Sequence, residues 1–505
     1  AGGGVDPEKT ALPSSSRSCS VVPRFFLCHL PRMLLMRGGV TAQACRRLFS
    51  STVAVNVPSV VPAFHLAVEG LPERGASVAP ETSVRVSQLQ NGVRVATLDK
   101  RGAASRINVS INSGSRDDTA AFSGLSHLYA RAALRSSASR SEFRFVREME
   151  RIGSSASVSV TRENTLVEVD MLRENVAPTL RLVAEALLQP KFKVSEIVEA
   201  KKLVDYDRAL RNCSTQSRVL DALYSVSFDG ATLGLPVVSS SGANFGAADL
   251  RNLVQRALNP TDLVITGLNI DHQSLVDIAE ETFGSLSGSS AARDRDDSVF
   301  VSKVDAKIND LTVECGLGLA VGFGAPAFAS RQTDAALVMQ ALLGGGSTGY
   351  KASVGGGASL LNTHLVNKIE GVTSATSFYH PYSDAGLFGV YVECDPAVGE
   401  KVARAIPALV KDLASVSEAD LERAKSAAKG EILAAREGRG SQSEDIARWL
   451  FTEGTYPAEE KMLKRISAVQ LAEIKALTDS LLQQGPNMAA VGNLSNLPGV
   501  RQLWN

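Results

Sequence analysis

The chain is poor in residues that staple or anchor a fold. Its 505 residues include six cysteines and two tryptophans, and aromatic residues make up only 5%. The cysteines (Cys19, Cys28, Cys45, Cys213, Cys315 and Cys394) are scattered, with no Cys-x-x-Cys pair. That spacing excludes a disulfide framework and argues against a structural zinc site. Charge of one sign is also missing, because 53 basic and 53 acidic side chains cancel. A dedicated nucleic-acid binder carries a basic excess, so no nucleic-acid partner is expected. Long apolar runs are absent too, and a membrane-spanning helix takes about 20 such residues. Residues 21–35 are interrupted by Arg24, Pro31 and Arg32, and the uncharged run 315–329 is shorter and holds four glycines.

What is present is a 44% apolar content, enough for sizeable cores. The length implies more than one domain. The zero net charge also hides an asymmetry. Residues 1–56 hold seven basic groups (Lys9, Arg17, Arg24, Arg32, Arg37, Arg46, Arg47) against two acids (Asp6, Glu8). From Met33, a candidate start, to Asn56 there are three arginines and no acid. An Arg-rich, Ser-containing, acid-free stretch has the composition of a mitochondrial transit peptide. Residues 1–56 are therefore expected to be a leader, with Arg47-Leu48-Phe49-Ser50 resembling a matrix-protease cut site. Residues 57–85 are Val-, Pro- and Ala-rich and read as an extended arm. A reducing matrix suits the unpaired Cys213, Cys315 and Cys394.

Beyond the arm the chain repeats its plan. Residues 165–170 alternate like a strand, and 176–188 carry apolar residues at helical spacing. Val194-Ser195-Glu196 then opens a second helix. In the other half, 386–392 is the strand, 398–413 the helix, and Val416-Ser417-Glu418 the matching opening. A serine followed by acids suits a helix N-terminus. Each half closes on an apolar strand with a proline before it (Pro260, Pro486), and Gly267 matches Gly492. These matches recur in one order at nearly one separation, which indicates two duplicated domains rather than a solenoid. The expected fold class is α+β: two homologous domains, each a mostly antiparallel sheet packed with helices. Their expected bounds are 86–284 and 301–505, joined by a Ser/Gly-rich linker over 285–300.

Residues 124–131 read Gly-Leu-Ser-His-Leu-Tyr-Ala-Arg after a strand and a polar turn, so a helix is expected from near Gly124. With this opening the chain resembles the pitrilysin-type peptidases, whose helix here carries His-x-x-Glu-His. Histidines four apart share one helix face and hold one zinc. The glutamate between them activates the zinc-bound water. A distant glutamate completes the set. In this chain His127 keeps the first ligand position. Ala130 stands where the base belongs, Arg131 replaces the second histidine, and Arg208 takes the place of the distant glutamate. Asp207 is adjacent, but one residue turns a side chain about 100° around a helix. Guanidinium groups repel zinc, and His65, His272, His364 and His380 have no paired spacing. The expectation is therefore no metal, no cofactor and no peptidase chemistry, with His127 a helix-surface or core histidine.

Seven glycines fall between Gly344 and Gly357: Gly344, Gly345, Gly346, Gly349, Gly355, Gly356 and Gly357. The first of them satisfy a dinucleotide-type spacing, but they follow a helix-like run, 334–343, instead of a strand. Lys351 is one place late for a phosphate loop, and Ala352 stands where Ser or Thr is needed. Two readings remain: a flexible surface loop, or a bare-backbone loop that another peptide approaches closely.

The resemblance covers about residues 85–505. It rests on Ser113-Gly-Ser-Arg116, Val160-Thr-Arg-Glu-Asn164, Gly267-Leu-Asn-Ile-Asp-His272, Tyr382-Ser-Asp-Ala-Gly-Leu-Phe-Gly389 and Met488-Ala-Ala-Val-Gly-Asn-Leu494. It points to the non-catalytic mitochondrial branch of the family. That branch takes in core protein 2 of respiratory complex III (ubiquinol–cytochrome c reductase) and the α subunit of the processing peptidase. It implies a partner of the same build, core protein 1 or the processing peptidase β subunit. In complex III it further implies cytochrome b, cytochrome c1 and the iron–sulfur subunit as neighbours. The implied location is the matrix side of the mitochondrial inner membrane, peripherally bound. For the glycine segment it implies contact with mitochondrial presequences. A free, soluble processing-peptidase α subunit is the alternative.

Overall fold

The alternating runs become two six-stranded sheets. The computed structural model describes residues 79–238, 245–288, 295–310, 316–347 and 359–504. The expected leader, most of the arm and Cys315 lie outside the described residues. The first sheet contains β1 (Arg85–Gln88), β2 (Arg94–Leu98), β3 (Ala104–Ile111), β4 (Ser155–Val160), β5 (Thr165–Leu172) and β6 (Leu263–Leu268). The second contains β7 (Asp305–Asn309), β8 (Leu317–Ala325), β9 (Gly345–Ser347), β10 (Val372–Pro381), β11 (Gly386–Cys394) and β12 (Asn487–Gly492).

The duplication is visible in how the strands pair. The first sheet runs β1-β2-β6-β3-β5-β4 and the second β7-β12-β8-β11-β10-β9. In each, the closing strand (β6 or β12) lies parallel to one neighbour and antiparallel to the other. All remaining pairs are antiparallel. Gly267 and Gly492 sit on these equivalent strands, opposite Ile107 and Leu317.

The helices form where apolar spacing and capping agree. Val176–Leu188 buries Val176, Leu180, Val183, Ala184 and Leu187. Ser417 caps Glu418–Glu437, its side chain accepting from the Asp420 N–H at 3.2 Å. The first-half counterpart differs from expectation. The Val194–Cys213 helix begins one residue before Ser195, and Glu196 reaches back to the Lys193 N–H instead. Lys193 is extended, so the cap is set by backbone and a buried glutamate, not by the serine hydroxyl.

Each half lends one helix to the other half's sheet. Val219, Leu223 and Tyr224 of helix Thr215–Ser227 pack with Ala320, Phe378, Tyr391, Ala489 and Val491 of the second sheet. Ile446, Ala447 and Leu450 of helix Arg439–Thr452 pack with Ala96, Leu98, Val264 and Leu268 of the first. Burying each such aliphatic side chain is worth about 1.5–3 kcal/mol. Two large cores on the opposite sheet faces complete the fold.

Candidate functional site

The helix expected from near Gly124 spans Leu125–Ala132, with Gly124 in the left-handed region (φ 88°) as its N-cap. The Asp118 carboxylate accepts from the Gly124 and Ser126 N–H groups and from the Ser126 hydroxyl at 2.7 Å. It thereby satisfies two of the N–H groups at the start of the helix. Burial pushes the Asp118 carboxyl up to about 6, against the pull of these bonds.

Three charged or polar groups then meet between this helix and Val194–Cys213. Arg131 donates to Asp207 twice, Nε at 2.6 Å and Nη2 at 2.7 Å. His127 Nε2 lies 3.2 Å from the same carboxylate. Asp207 therefore faces the motif, and the expectation from a 100° turn was wrong. The inward face of Val194–Cys213 carries Ala200 and Val204, and Asp207 continues it at the next helical step. Arg208 pairs with Asp205 at 2.8 Å instead. Ala130 is half-buried and brings no polar group to the cluster. His127 is a buried histidine, with Nδ1 finding no protein partner. Burial holds its pKa below the ordinary value, Asp207 opposes that, and Arg131 adds to it. No group of three or more His, Cys, Asp or Glu side chains is placed to hold a metal ion among the described residues. The donor set here is one imidazole and one carboxylate, and that carboxylate already carries a guanidinium.

A second cluster draws together motifs distant in sequence. The Arg116 side chain is 3% exposed and donates to Glu163 at 2.6 Å and to Asp384 at 2.7 Å. Its Nη2 also reaches the Ser298 hydroxyl. Burial acts to lower Arg116, but Asp384 and Glu163 outweigh it and raise its pKa. Burial acts to raise Asp384, but the Arg116 bond prevails and lowers it. This three-way ion cluster joins the two halves, and sequence reasoning found its stretches without finding their meeting.

Beside it, Arg162 lies 3.8 Å over the Tyr224 ring and donates to Asp221. The Tyr224 hydroxyl bonds His380 Nδ1 at 2.7 Å and Tyr382 at 2.8 Å. Burial, then Arg162 and Arg448, lower the His380 pKa to about 4. These groups line a cavity of about 350 Å³ between the halves.

The described part of the glycine segment is a helix end followed by a strand. Gly344 ends helix Thr333–Leu343 at φ 61°, a conformation that favours glycine. A Cβ there would also meet Ser359 at 2.5 Å. Gly345 and Gly346 belong to edge strand β9, paired with Thr376 and Ala375. The flexible-loop reading fails for these residues because a sheet edge offers their backbone partners. Gly349, Lys351, Ala352, Gly355, Gly356 and Gly357 lie outside the described residues.

Two duplicated mixed sheets with exchanged helices define a two-domain α+β fold. Residues 94–241 match the model described as Insulinase (Peptidase family M16), and residues 244–428 match Peptidase M16 inactive domain. The chain belongs to peptidase family M16. It is 26% identical to the probable mitochondrial-processing peptidase subunit alpha-2 of Arabidopsis thaliana, covering 89% of each chain. It is 27% identical to the mitochondrial-processing peptidase subunit alpha of Solanum tuberosum, covering 82% of this chain and 83% of that one. It is 25% identical to the cytochrome b-c1 complex subunit 2 of Rattus norvegicus, covering 85% of this chain and 94% of that one. Among the described residues no helix is long and apolar enough to cross a membrane.

Proposed function

We propose that the chain is a non-catalytic core subunit 2 of respiratory complex III, on the matrix side of the mitochondrial inner membrane. The observation that carries this reading is the bidentate Arg131–Asp207 pair inside an intact two-domain frame. A fixed cation beside His127 opposes a zinc ion electrostatically, while the ion pair holds the two motif helices together. Similarity to cytochrome b-c1 complex subunit 2 over nearly its whole length supports the assignment. So does the Arg-rich, acid-free stretch 33–56. The proposed partner is a chain of the same build, core protein 1 or a processing-peptidase β subunit. The test is mild-detergent extraction followed by native electrophoresis. Co-migration with cytochrome b and the iron–sulfur subunit is expected, and migration apart from them overturns the reading.

A second reading adds presequence binding for an active β partner. It is favoured by the similarity to processing-peptidase α subunits and by the seven glycines from Gly344 to Gly357. Deleting residues 348–357 should abolish presequence cleavage by the reconstituted pair, and unchanged cleavage removes this role.

A further inference from the structure

The two exchanged helices sit on their sheets differently. Gly267 and Gly492 occupy equivalent places, so Asn108 and Ser110 of β3 correspond to Gly318 and Ala320 of β8. Likewise Thr266 of β6 corresponds to Val491 of β12. Beneath helix Thr215–Ser227 the equivalent positions Gly318, Ala320 and Val491 are apolar, and the packing is tight: a Cβ on Gly322 would meet Leu223 at 2.9 Å, and one on Gly318 would meet Thr215 at 2.6 Å. Beneath helix Arg439–Thr452 the first sheet presents Arg106, Asn108 and Ser110 on one face of β3, with Thr266 opposite Asn108.

Asn108, Ser110 and Thr266 are each 0% exposed. Asn108 Nδ2 and Oδ1, Ser110 Oγ and Thr266 Oγ1 find no protein partner, nor does Arg106 Nε. Buried polar atoms are almost always bonded, and stranding this many would cost a large share of a protein's net stability. Internal water is the ligand that serves donors and acceptors alike in a small polar space. At one end of the row, Asp170, which pairs with Arg106, borders a cavity of about 330 Å³ that Arg439 also lines.

We propose that this face of the first sheet is a water-binding site. Ordered waters bridge Asn108, Ser110 and Thr266 beneath helix Arg439–Thr452. Small shifts of helix Arg439–Thr452 on the first sheet then occur at a hydrated contact. Water re-forms its bonds after a small shift, whereas Leu223 seated against Gly322 has no such freedom.

The test is hydrogen exchange on the full chain in its native complex, with a structure at a resolution that shows water. Waters bonded to Asn108, Ser110 and Thr266 are expected, with none at the equivalent positions Gly318, Ala320 and Val491. A dry Asn108 bonded directly to protein overturns the proposal. The double variant Thr266→Val with Ser110→Ala removes two water partners at little change of shape. It should slow amide exchange in helix Arg439–Thr452 by roughly tenfold and leave Thr215–Ser227 unchanged. Equal change in both helices, or none in either, overturns the proposal.

Discussion

Asp207 holds Arg131 through two bonds, at 2.6 and 2.7 Å. The same carboxylate sits beside His127. The contact joins helix Leu125–Ala132 to helix Val194–Cys213.

This arrangement sets the titration of His127. Arg131→Gln removes a cation that lowers the imidazole pKa, so the value should rise. Asp207→Asn removes the anion that raises it, so the value should fall. NMR titration of the His127 ring in the two variants checks both directions.

The Arg116 cluster should be the most sensitive ionic contact between the halves. Arg116→Met leaves Glu163 and Asp384 partly buried without their cation. Breaking a buried pair in this way costs about 3–5 kcal/mol. Urea unfolding should show that loss, and a loss under about 1 kcal/mol would place the cluster with ordinary surface pairs.

Acid should loosen the cavity between the halves. His380 has its pKa lowered from 6.5 to about 4, so the unfolded chain protonates first as pH falls. The support from its neutral form is complete above about pH 6.5 and is lost as pH falls through about 4. Unfolding free energy measured between pH 7 and 4 should decline more steeply in the parent than in His380→Asn. Parallel curves would show that His380 titrates as in the unfolded chain.

Two glycine substitutions should act in opposite directions. A Cβ on Gly114 would meet the Arg162 carbonyl oxygen at 2.4 Å, so Gly114→Ala forces the backbone apart and destabilises. Gly430 lies within helix Glu418–Glu437, and a Cβ there meets nothing within 4 Å. Gly430→Ala should raise stability by about 0.5–1 kcal/mol. Thermal melts of the two variants against the parent test the pair.

The legible parts of the sequence were those written in local pattern. Apolar spacing placed Val176–Leu188 at its observed bounds, alternation placed β5, and the repeated plan placed β11. The repeated glycines and prolines located the closing strands. What escaped were meetings across long separations. Arg116, Glu163 and Asp384 lie on three separate stretches, and no local pattern brings them together. Asp207 was misjudged because the angular step along one helix says nothing of where its partner helix lies. Gly345 was read as loop because a glycine run carries no side-chain alternation, although edge strand β9 needs only its backbone. No local pattern marks the polar row Arg106–Asn108–Ser110 as buried. Only helix Arg439–Thr452 lying across it makes that face interior.

On the proposed reading the Arg131–Asp207–His127 cluster stands in place of a metal centre, and this chain contributes no hydrolytic step. The most direct measurement is the zinc content of the natively purified chain, taken before and after Asp207→Asn. The account predicts no stoichiometric zinc in either form. One zinc per chain in the parent, lost in the Asp207→Asn variant, would contradict it.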